Sequence, residues 1–444
     1  MPPLEKEFDL FITDLNGNLR GKRMLAKTLD KVRTEGVKLP RSIMGVDFWG
    51  DDVPENGLLF ETGDSDGICL PVHRDPVPVP WAEIPRDQLH TMMYNSDGTP
   101  FGADPRQVLA RVVERYHALG MYPVMATELE FYLLDAESEE TQRPKPPVLV
   151  EGHGRRICEN DVYSLDEMEG LDSFFNDVRN ACEIQGVPAE TIVSELGPGQ
   201  FEINLKHVNS PLDAADHAVR FKRLVKGMAR KHGYAATFMA KPYSDKSGNG
   251  FHVHYSLLDS SGRNLFDDGS DRGTPLLRHA VAGLLRLMPD SMLMFAPHLN
   301  SYRRFMEGSH APVFANWGYE NRTTALRIPE SEPASTRIEH RVSGADANPY
   351  LVLAAILAGA LYGMENRLLP PPPVEGDAYA EADRHPMLPN KWDVATERFE
   401  QSDILGEYLG EEFVHVFAAV KYQEQRILSK IISDVEYESY LGIV

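Results

Sequence analysis

Cysteine is scarce in this chain. Three of the 444 residues are cysteines, Cys69, Cys158 and Cys182, and they lie far apart in the sequence. An odd number of scattered cysteines builds neither a disulfide framework nor a zinc motif. We therefore expect a cytoplasmic protein, because the reducing cytosol suits free thiols and the residues from Met1 to Glu7 are too polar for a signal peptide.

Basic residues are outnumbered by acidic residues, and the formal net charge is −22. This balance argues against a nucleic-acid partner and suits cations, including metal ions and protonated amines. Long apolar runs are missing as well. The most apolar helix candidate, Tyr350 to Tyr362, is too short to span a bilayer, so we expect no membrane partner.

Known phosphate-binding signatures are absent. The sequence has no Gly-Lys-Ser/Thr loop of the Walker type and no protein-kinase signature. A nucleotide, if one binds, would have to be held by metal ions and arginines. The ordinary hydrophobic content of 42% indicates a soluble globular protein, and 444 residues suggest two or more domains.

Charged and metal-binding side chains are concentrated in four short strand-like stretches. Successive side chains of a strand point to opposite sides, so each stretch predicts one charged face and one apolar face. A single glutamate pair at this spacing would be an ordinary solvated face. Four such stretches predict a face whose charge is compensated by metal ions. The stretches are Thr127 to Phe131, Gln200 to Asn204, Phe251 to Tyr255 and Arg337 to Arg341.

Carboxylates and imidazoles supply the candidate ligands. Glu128 and Glu130 share a face, and Glu195 and Glu202 flank a Gly-Pro-Gly turn that is either a polar hairpin or a way to bring both to one cation. Oxygen ligands favour Mg²⁺ or Mn²⁺. Glycines precede two histidines in the stretch Gly248-Asn-Gly-Phe-His252-Val-His254, where a ligand can approach the backbone.

Arginines crowd into a short segment downstream. Arginine is suited to bidentate binding of carboxylate and phosphate, although a general charged surface is the simpler alternative. Metal ligands together with an arginine cluster favour phosphoryl transfer. The cluster comprises Arg303, Arg304, Arg322, Arg327, Arg337 and Arg341.

The order of these motifs resembles the glutamine synthetase superfamily, from about residue 100 onward. The motifs that carry the resemblance are Glu128-Leu-Glu130, Glu195-Leu-Gly-Pro-Gly-Gln-Phe-Glu202, Gly248-Asn-Gly-Phe-His252-Val-His254, Asn300-Ser-Tyr-Arg-Arg304, Asn321-Arg322-Thr-Thr-Ala-Leu-Arg327 and Arg337-Ile-Glu339-His-Arg341. The resemblance implies an α+β fold. A small β-grasp domain at 1–99 would precede a catalytic domain at 100–444, built on a curved antiparallel sheet flanked by helices.

The resemblance also implies roles for individual residues, with two or more Mg²⁺ or Mn²⁺ ions per site and ATP as co-substrate. One metal ion would be held by Glu130, Glu195 and Glu202, and the other by Glu128, His252 and Glu339. The ATP site would include His254, Ser256, Arg327 and Arg337. Glutamate would be held by Gly248, Arg304 and Arg341, and Arg322 would steady the transferring phosphoryl group.

The departures from the family pattern concern the nucleophile. His310 stands where true glutamine synthetases carry a flap glutamate, and the Asp-Gly-Ser motif of their ammonium site is absent. We therefore expect a γ-glutamyl-polyamine or γ-glutamyl-monoamine synthetase, with His310 as either the base or an ordinary loop histidine. Phe48, Trp49 and Trp317 would favour an apolar amine if they line the pocket, whereas the net acidity favours a polyamine.

Two other functions remain open at this point. A true glutamine synthetase would use ammonia, and assays with ammonia and a panel of amines separate it from an amine ligase. A ring-forming structural protein that has lost catalysis would show eroded ligands, whereas all six metal positions are filled here. The resemblance further implies a homo-oligomer of six-subunit rings, as a hexamer or a dodecamer.

Overall fold

The structure is a computed structural model that describes residues 6–73, 75–149, 155–157, 160–306, 308–309, 311–380 and 385–444. Its strands are β1 Glu7–Thr13, β2 Leu19–Leu25, β3 Val37–Pro40, β4 Asp66–Pro71, β5 Val77–Pro78, β6 Asp87–Tyr94, β7 Met121–Asp135, β8 Val148–Leu149, β9 Arg155–Arg156, β10 Ala189–Ser194, β11 Gln200–Val208, β12 Tyr234–Thr237, β13 Phe251–Asp259, β14 Trp317–Tyr319, β15 Leu326–Ile328 and β16 Ile338–His340.

Its α-helices are α1 Leu29–Glu35, α2 Pro105–Ala118, α3 Glu137–Thr141, α4 Leu165–Glu169, α5 Asp172–Gln185, α6 Pro211–Lys231, α7 Pro275–Leu287, α8 Met292–Phe295, α9 Pro349–Glu365, α10 Trp392–Glu400, α11 Asp403–Leu409, α12 Glu411–Leu428 and α13 Asp434–Tyr440. Short 3₁₀ helices add Ala26–Thr28, Arg41–Gly45, Pro54–Asn56, Leu299–Arg304 and Pro333–Ser335. The predicted α+β class is thereby confirmed.

The N-terminal part folds around a six-stranded sheet. Its strand order is β2-β1-β6-β4-β3, and β5 pairs with β6. β1 runs parallel to β6, whereas the other pairs are antiparallel. Phe8 and Leu10 of β1 alternate with more exposed residues and pack with Val32 of α1, as period-two burial requires. The predicted division at residues 99 and 100 falls between this sheet and α2, and it stays a prediction.

The larger sheet has eight strands in the order β10-β11-β7-β13-β16-β15-β14, and β12 also pairs with β7. β7 is fifteen residues long, so it pairs with β13 along most of its length and with β11 and β12 toward its C-terminal end. The sheet is mixed and not purely antiparallel as predicted, because β14 and β15 run parallel.

Helices cover this sheet and complete the core. The apolar helix candidate from Tyr350 to Tyr362 lies within α9, which begins at Pro349 and is buried on nearly all sides. It meets α7 so closely that a Cβ atom on Gly363 would lie 2.1 Å from the carbonyl oxygen of His279. Such a contact requires glycine. Within the described ranges, no helix is both long enough and apolar enough to cross a membrane.

The C-terminal region packs against the N-terminal part of the chain. Residues 403–440 form three separate helices, α11, α12 and α13. Glu424 of α12 accepts hydrogen bonds from Asn16 Nδ2 and from the backbone amide of Phe48, both at 2.9 Å. These contacts hold the loop at residues 46–52 against the end of α12.

Candidate active site

The charged face predicted from the sequence lies on four adjacent strands. β7 is paired on one side with β11 and on the other with β13, which in turn pairs with β16. The register places Glu130 opposite Glu202 across the β7–β11 pair, and Glu128 opposite His252 across the β7–β13 pair. Residues that are directly opposite have neighbouring Cβ atoms, so these side chains converge on one face of the sheet.

Two groups of three side chains bring their ligand atoms within 4.8 Å of one another on this face. The groups are Glu128, His252 and Glu339, and Glu130, Glu202 and His252. The first group is the set predicted for one metal ion. The second contains His252 where the prediction had Glu195, which lies outside both groups. The sheet register explains the difference, because Glu202 and His252 belong to strands while Glu195 lies in the turn before β11.

The carboxylates repel one another strongly in the absence of a cation. Burial, followed by repulsion from Glu128 and Glu130, raises the pKa of Glu202 to about 10. Burial, followed by repulsion from Glu130, raises the pKa of Glu195 to about 7. Both shifts have the sign expected when several carboxylates share a partly buried site. A divalent cation fits this donor set, because it supplies the missing positive charge to oxygen and imidazole ligands.

Glu128 differs from Glu195 and Glu202, because two histidines keep it ionised. Its Oε1 lies 2.9 Å from His254 Nε2, and its Oε2 lies 3.4 Å from His252 Nδ1. Burial opposes ionisation, but these histidines outweigh it and lower the pKa of Glu128. Arg337 Nε donates to His254 Nδ1 at 3.2 Å, so the proton of a neutral His254 sits on Nε2 and points to Glu128.

Glu339 is held by two arginines. Its Oε1 accepts from Arg341 Nη1 at 2.6 Å, and its Oε2 accepts from Arg327 Nη1 at 2.7 Å. Burial raises the pKa of Glu339, but Arg341 and the nearby histidines outweigh it and leave the pKa at about 2. A carboxylate has about four lone-pair positions, so this contact leaves room for a metal ion.

A cavity of about 460 Å³ extends the charged face along the same strands. Its wall includes Glu128 and three of the four residues predicted to bind ATP, His254, Ser256 and Arg337. Arg327 is not part of that wall, because its guanidinium lies between Glu339 and Glu320.

Sequence reasoning missed further residues of this cavity. Asn204 and Lys206 of β11 follow Glu202 at intervals of two and line the wall. The same alternation that identified Glu202 could have identified them. His207 and Asn209 also line the wall, but they lie at the end of β11, where alternation gives no signal.

Gln200 was also missed, although it fixes one of the predicted ligands. Its buried Nε2 lies 3.2 Å from Glu130 Oε2, 3.0 Å from the carbonyl oxygen of Gly248 and 3.1 Å from Asn249 Oδ1. The backbone amide of Gly250 donates to the same Glu130 oxygen at 2.7 Å. Two donors therefore hold the Glu130 carboxylate in place, and no pattern in the sequence connects Gln200 with Glu130.

The residues predicted to hold glutamate lie next to one another. Arg304 is buried, and its Nη1 donates to the carbonyl oxygen of Val342 at 2.7 Å. The guanidinium of Arg341 is close enough to lower the pKa of Arg304, after the larger effect of burial. Gly248 packs on Arg304, since a Cβ atom on Gly248 would lie 2.9 Å from Arg304 Cγ and 2.6 Å from the carbonyl oxygen of Ala240.

We expect Gly248→Ala to weaken glutamate binding, because the added methyl group must displace either Arg304 or the Ala240 backbone. Overpacking of this kind costs about 1–3 kcal/mol, which corresponds to roughly a tenfold rise in the KM for glutamate. Steady-state kinetics with varied glutamate would measure it. Gly406→Ala is the control for the added methyl group itself, because a Cβ atom on Gly406 would meet only Glu411 Cγ, at an ordinary contact distance of 3.7 Å. An unchanged KM for Gly248→Ala would contradict the placement of Gly248.

The remaining residues predicted for the site differ in their exposure to solvent. Arg322 is exposed in the loop between β14 and β15, on the side of Glu195. Trp317 is buried, and its Nε1 donates to the carbonyl oxygen of Pro371 at 2.8 Å, so it offers almost no surface to an amine. Phe48 and Trp49 are about half exposed. His310 lies outside the described residues, and its role stays a prediction.

Comparison with known proteins agrees with this geometry. Residues 102–440 match the family described as glutamine synthetase, catalytic domain. The gamma-glutamylputrescine synthetase of Escherichia coli is 41% identical over 98% of this chain and 92% of its own length. The glutamate–isopropylamine ligase of a Pseudomonas species is 33% identical over 97% of this chain and 94% of its own length.

A solved structure described as a GmaS/ADP complex superposes with a TM-score of 0.85 and 26% identity, covering 99% of this chain and 97% of that one. The same family assignment is therefore supported by the strand order, by the ligand groups and by sequence similarity along almost the whole chain. This chain belongs to the glutamine synthetase family.

Proposed function

We propose that this protein joins the γ-carboxyl group of glutamate to an organic amine at the expense of ATP. The observation that carries the proposal is the face formed by Glu128, Glu130, Glu202, His252 and Glu339 beside a cavity large enough for a nucleotide. Relatives named for the ligation of glutamate to putrescine and to isopropylamine support it. The enzyme is thus a ligase that forms C–N bonds, of the amine-ligase branch of its family.

The reaction proceeds in two balanced steps. An oxygen of the glutamate γ-carboxylate attacks the γ-phosphorus of ATP and the bond to the β-phosphate breaks, which yields γ-glutamyl phosphate and ADP. The amine nitrogen then attacks the acyl carbon, phosphate leaves, and the nitrogen loses a proton. Arg337 and His254 line the nucleotide cavity, so they are suited to the nucleotide. Arg304 and Arg341 do not line that cavity, and their guanidinium groups are suited to the glutamate carboxylate.

Two or more Mg²⁺ or Mn²⁺ ions held by the two ligand groups would neutralise charge on the transferring phosphoryl group. The chain's own contribution is to position the groups around it. Glu128 is fixed by two histidines, Glu339 by two arginines and Glu130 by Gln200. Fixed ligands and donors favour phosphoryl transfer, since its catalysis is mostly positioning and charge compensation. Arg322 is the proposed arginine for the phosphoryl group.

An organic amine, and not ammonia, is the proposed nucleophile. The motif with which true glutamine synthetases bind ammonium across a subunit boundary is missing, and both curated relatives described above are named for organic amines. In this chain the loop at residues 46–52 holds Asp47 inward instead. Asp47 Oδ1 accepts from the backbone amides of Trp49, Gly50 and Asp51, and its Oδ2 accepts from Gln423.

The reaction route is tested with glutamate labelled by ¹⁸O in its γ-carboxyl group. If γ-glutamyl phosphate forms, one labelled oxygen moves to the released phosphate for each turnover with ATP and an amine such as putrescine. Mass spectrometry of the phosphate measures this transfer. Unlabelled phosphate, with the displaced labelled oxygen recovered in water or on the nucleotide, contradicts the route.

We also propose that the protein forms six-subunit rings, singly or in pairs. Residues 429–444 are all exposed and carry a run of large apolar side chains, whose contact with water is unfavourable. These are Ile431, Ile432, Val435, Tyr437, Tyr440, Leu441, Ile443 and Val444. We propose that a second copy of the chain buries these side chains.

Replacing Leu441 and Ile443 by glutamate is expected to reduce the size of the assembly. The two charges cannot be buried against another subunit without a large desolvation cost. Mass photometry of the wild type and the double variant measures the effect, and Glu438→Gln in the same segment is the control. A wild-type particle of 49.8 kDa, the mass of one chain, would contradict the assembly.

A cytoplasmic location is proposed from the thiols. Cys69 and Cys182 are free and buried, and burial is the main cause that raises the pKa of each thiol to about 12. Such thiols are unreactive and form no disulfide, which suits a reducing compartment.

A further inference from the structure

A second cavity, of about 710 Å³, lies between the N-terminal sheet and helix α6. Its wall is formed by Asp9 of β1, Arg23 of β2, the segment from Trp81 to Arg86, and the C-terminal half of α6. None of its residues lines the nucleotide cavity or belongs to the ligand groups of the sheet face. Any function of this cavity is therefore separate from the chemistry described above.

Three arginines converge on a single carboxylate in this cavity. Asp9 Oδ1 accepts from Arg23 Nε at 2.8 Å, and Asp9 Oδ2 accepts from Arg223 Nη2 at 2.9 Å. Arg86 Nε lies 3.4 Å from the same Oδ2. That nitrogen is buried and forms no hydrogen bond with any of the residues that the structure describes. One carboxylate cannot neutralise three guanidinium groups, so positive charge is left over.

A fourth arginine adds to the surplus. Arg230 is exposed at the same wall and has no ion pair within the described part of the chain. Lys231 is paired with Asp177 at 2.8 Å and adds no free charge. Even if Glu83 is counted with Asp9, four arginines face two carboxylates. In a chain of net charge −22, such a local excess of positive charge is unusual.

The indole of Trp81 gives the cavity a rigid flat wall. A Cβ atom on Gly227 would lie 2.5 Å from three atoms of the Trp81 ring, so the ring rests directly on the backbone of α6. The guanidinium of Arg223 lies 6.0 Å from the centre of the same ring. Trp81 and Arg223 are thus held close to each other on α6, and such a preformed part of a site favours binding.

We propose that this arginine groove (Arg23, Arg86, Arg223 and Arg230 beside Trp81) is a second binding site for a small polyanion. The ligand carries at least two phosphate or carboxylate charges, because that number offsets the excess of arginine over carboxylate. Arginine recognises both groups through paired N–H donors. Arg230 is exposed at the wall of the groove, and the Arg86 side chain is 24% exposed there. A ligand bound here bridges the N-terminal sheet and α6, and so stabilises their contact.

The test is calorimetric titration of the whole metal-free protein with inorganic pyrophosphate in one arm and citrate in the other. Wild type is compared with Arg230→Gln and Arg86→Gln, and with Arg179→Gln as a control. Arg179 is exposed on α5 and outside the groove, so its loss changes the net charge equally. Pyrophosphate bound by the catalytic arginines contributes equally in all four proteins and is subtracted through the comparison.

We expect at least one anion to bind wild type and Arg179→Gln alike, and roughly tenfold more weakly to the groove variants, with an affinity that falls as salt rises. Binding of pyrophosphate alone identifies a phosphate ligand, and binding of citrate alone a carboxylate ligand. Arg230→Gln removes an exposed side chain, so it keeps the test valid if Arg86→Gln fails to fold. Equal affinities in all four proteins, or no binding by wild type, overturn the proposal. So does a change of assembly mass in Arg230→Gln without anion binding, which would make the groove a subunit interface.

Discussion

Glu128→Gln should abolish turnover almost completely. Glu128 is the one carboxylate of the face that is hydrogen-bonded by both His252 and His254, and the register places it at the centre between β11 and β13. The substitution keeps the shape but removes the charge that orients both histidines and attracts a cation. Loss of one preorganised electrostatic group costs about 10²–10³ in kcat, and loss of a metal ion in addition should bring the effect to roughly 10³ or more.

ATP-dependent release of phosphate with saturating glutamate and putrescine measures this loss. Glu183→Gln is the matched control, because Glu183 is exposed on α5 and belongs neither to the ligand groups nor to the wall of the nucleotide cavity. That variant should keep wild-type turnover. If Glu128→Gln retained more than about a tenth of wild-type activity, the sheet face would not be the catalytic centre.

We expect Glu202→Gln to make the metal-free protein more stable at pH 8 and the metal-bound protein less stable. Without metal, burial and the neighbouring carboxylates raise the pKa of Glu202 to about 10, from an ordinary value of 4.5. A carboxyl group with a raised folded-state pKa stabilises the fold fully below pH 4.5, and this contribution is lost progressively as the pH rises toward 10. Glutamine does not titrate, so the variant should be more stable than wild type in EDTA at pH 8 and similar to it near pH 4.

With excess Mn²⁺ at pH 8 the order should invert, because wild type gains stability from the bound ion and the variant has lost a ligand. Thermal unfolding in EDTA and in Mn²⁺ at both pH values measures the four cases. Differences on the order of 2 °C or more are expected. Asn204→Asp, which adds a carboxylate beside Glu202, should instead lower the stability in EDTA. A variant that is less stable than wild type in EDTA at pH 8 would contradict the account of crowded carboxylates.

The sheet face was predictable because period-two alternation is a local property. Glu128, His252 and Glu339 lie on strands that the sequence pattern identified, and pairing those strands in register was enough to bring the three together. The α+β class was implied by the resemblance to the glutamine synthetase superfamily that these motifs carry. The family assignment confirms that resemblance.

Other features depend on contacts that no local pattern encodes. The parallel pairing of β14 with β15 depends on the conformation of the short connection between them, residues 320–325. The position of Glu195 outside both ligand groups depends on the shape of a turn. Gln200 orients Glu130 through three-dimensional proximity to Gly248, which is distant in sequence. The surplus of arginine around Asp9 likewise appears only when β1, β2 and α6 are brought together.

The most direct measurement of the central claim is the specificity constant, kcat/KM, for a panel of nucleophiles with ATP, glutamate and Mg²⁺ or Mn²⁺. The panel comprises ammonia, ethanolamine, putrescine, spermidine, isopropylamine and benzylamine. We expect efficient phosphate release and γ-glutamylamide formation with at least one organic amine, and little turnover with ammonia. A kcat/KM that is highest for ammonia would contradict this account and make the protein a glutamine synthetase.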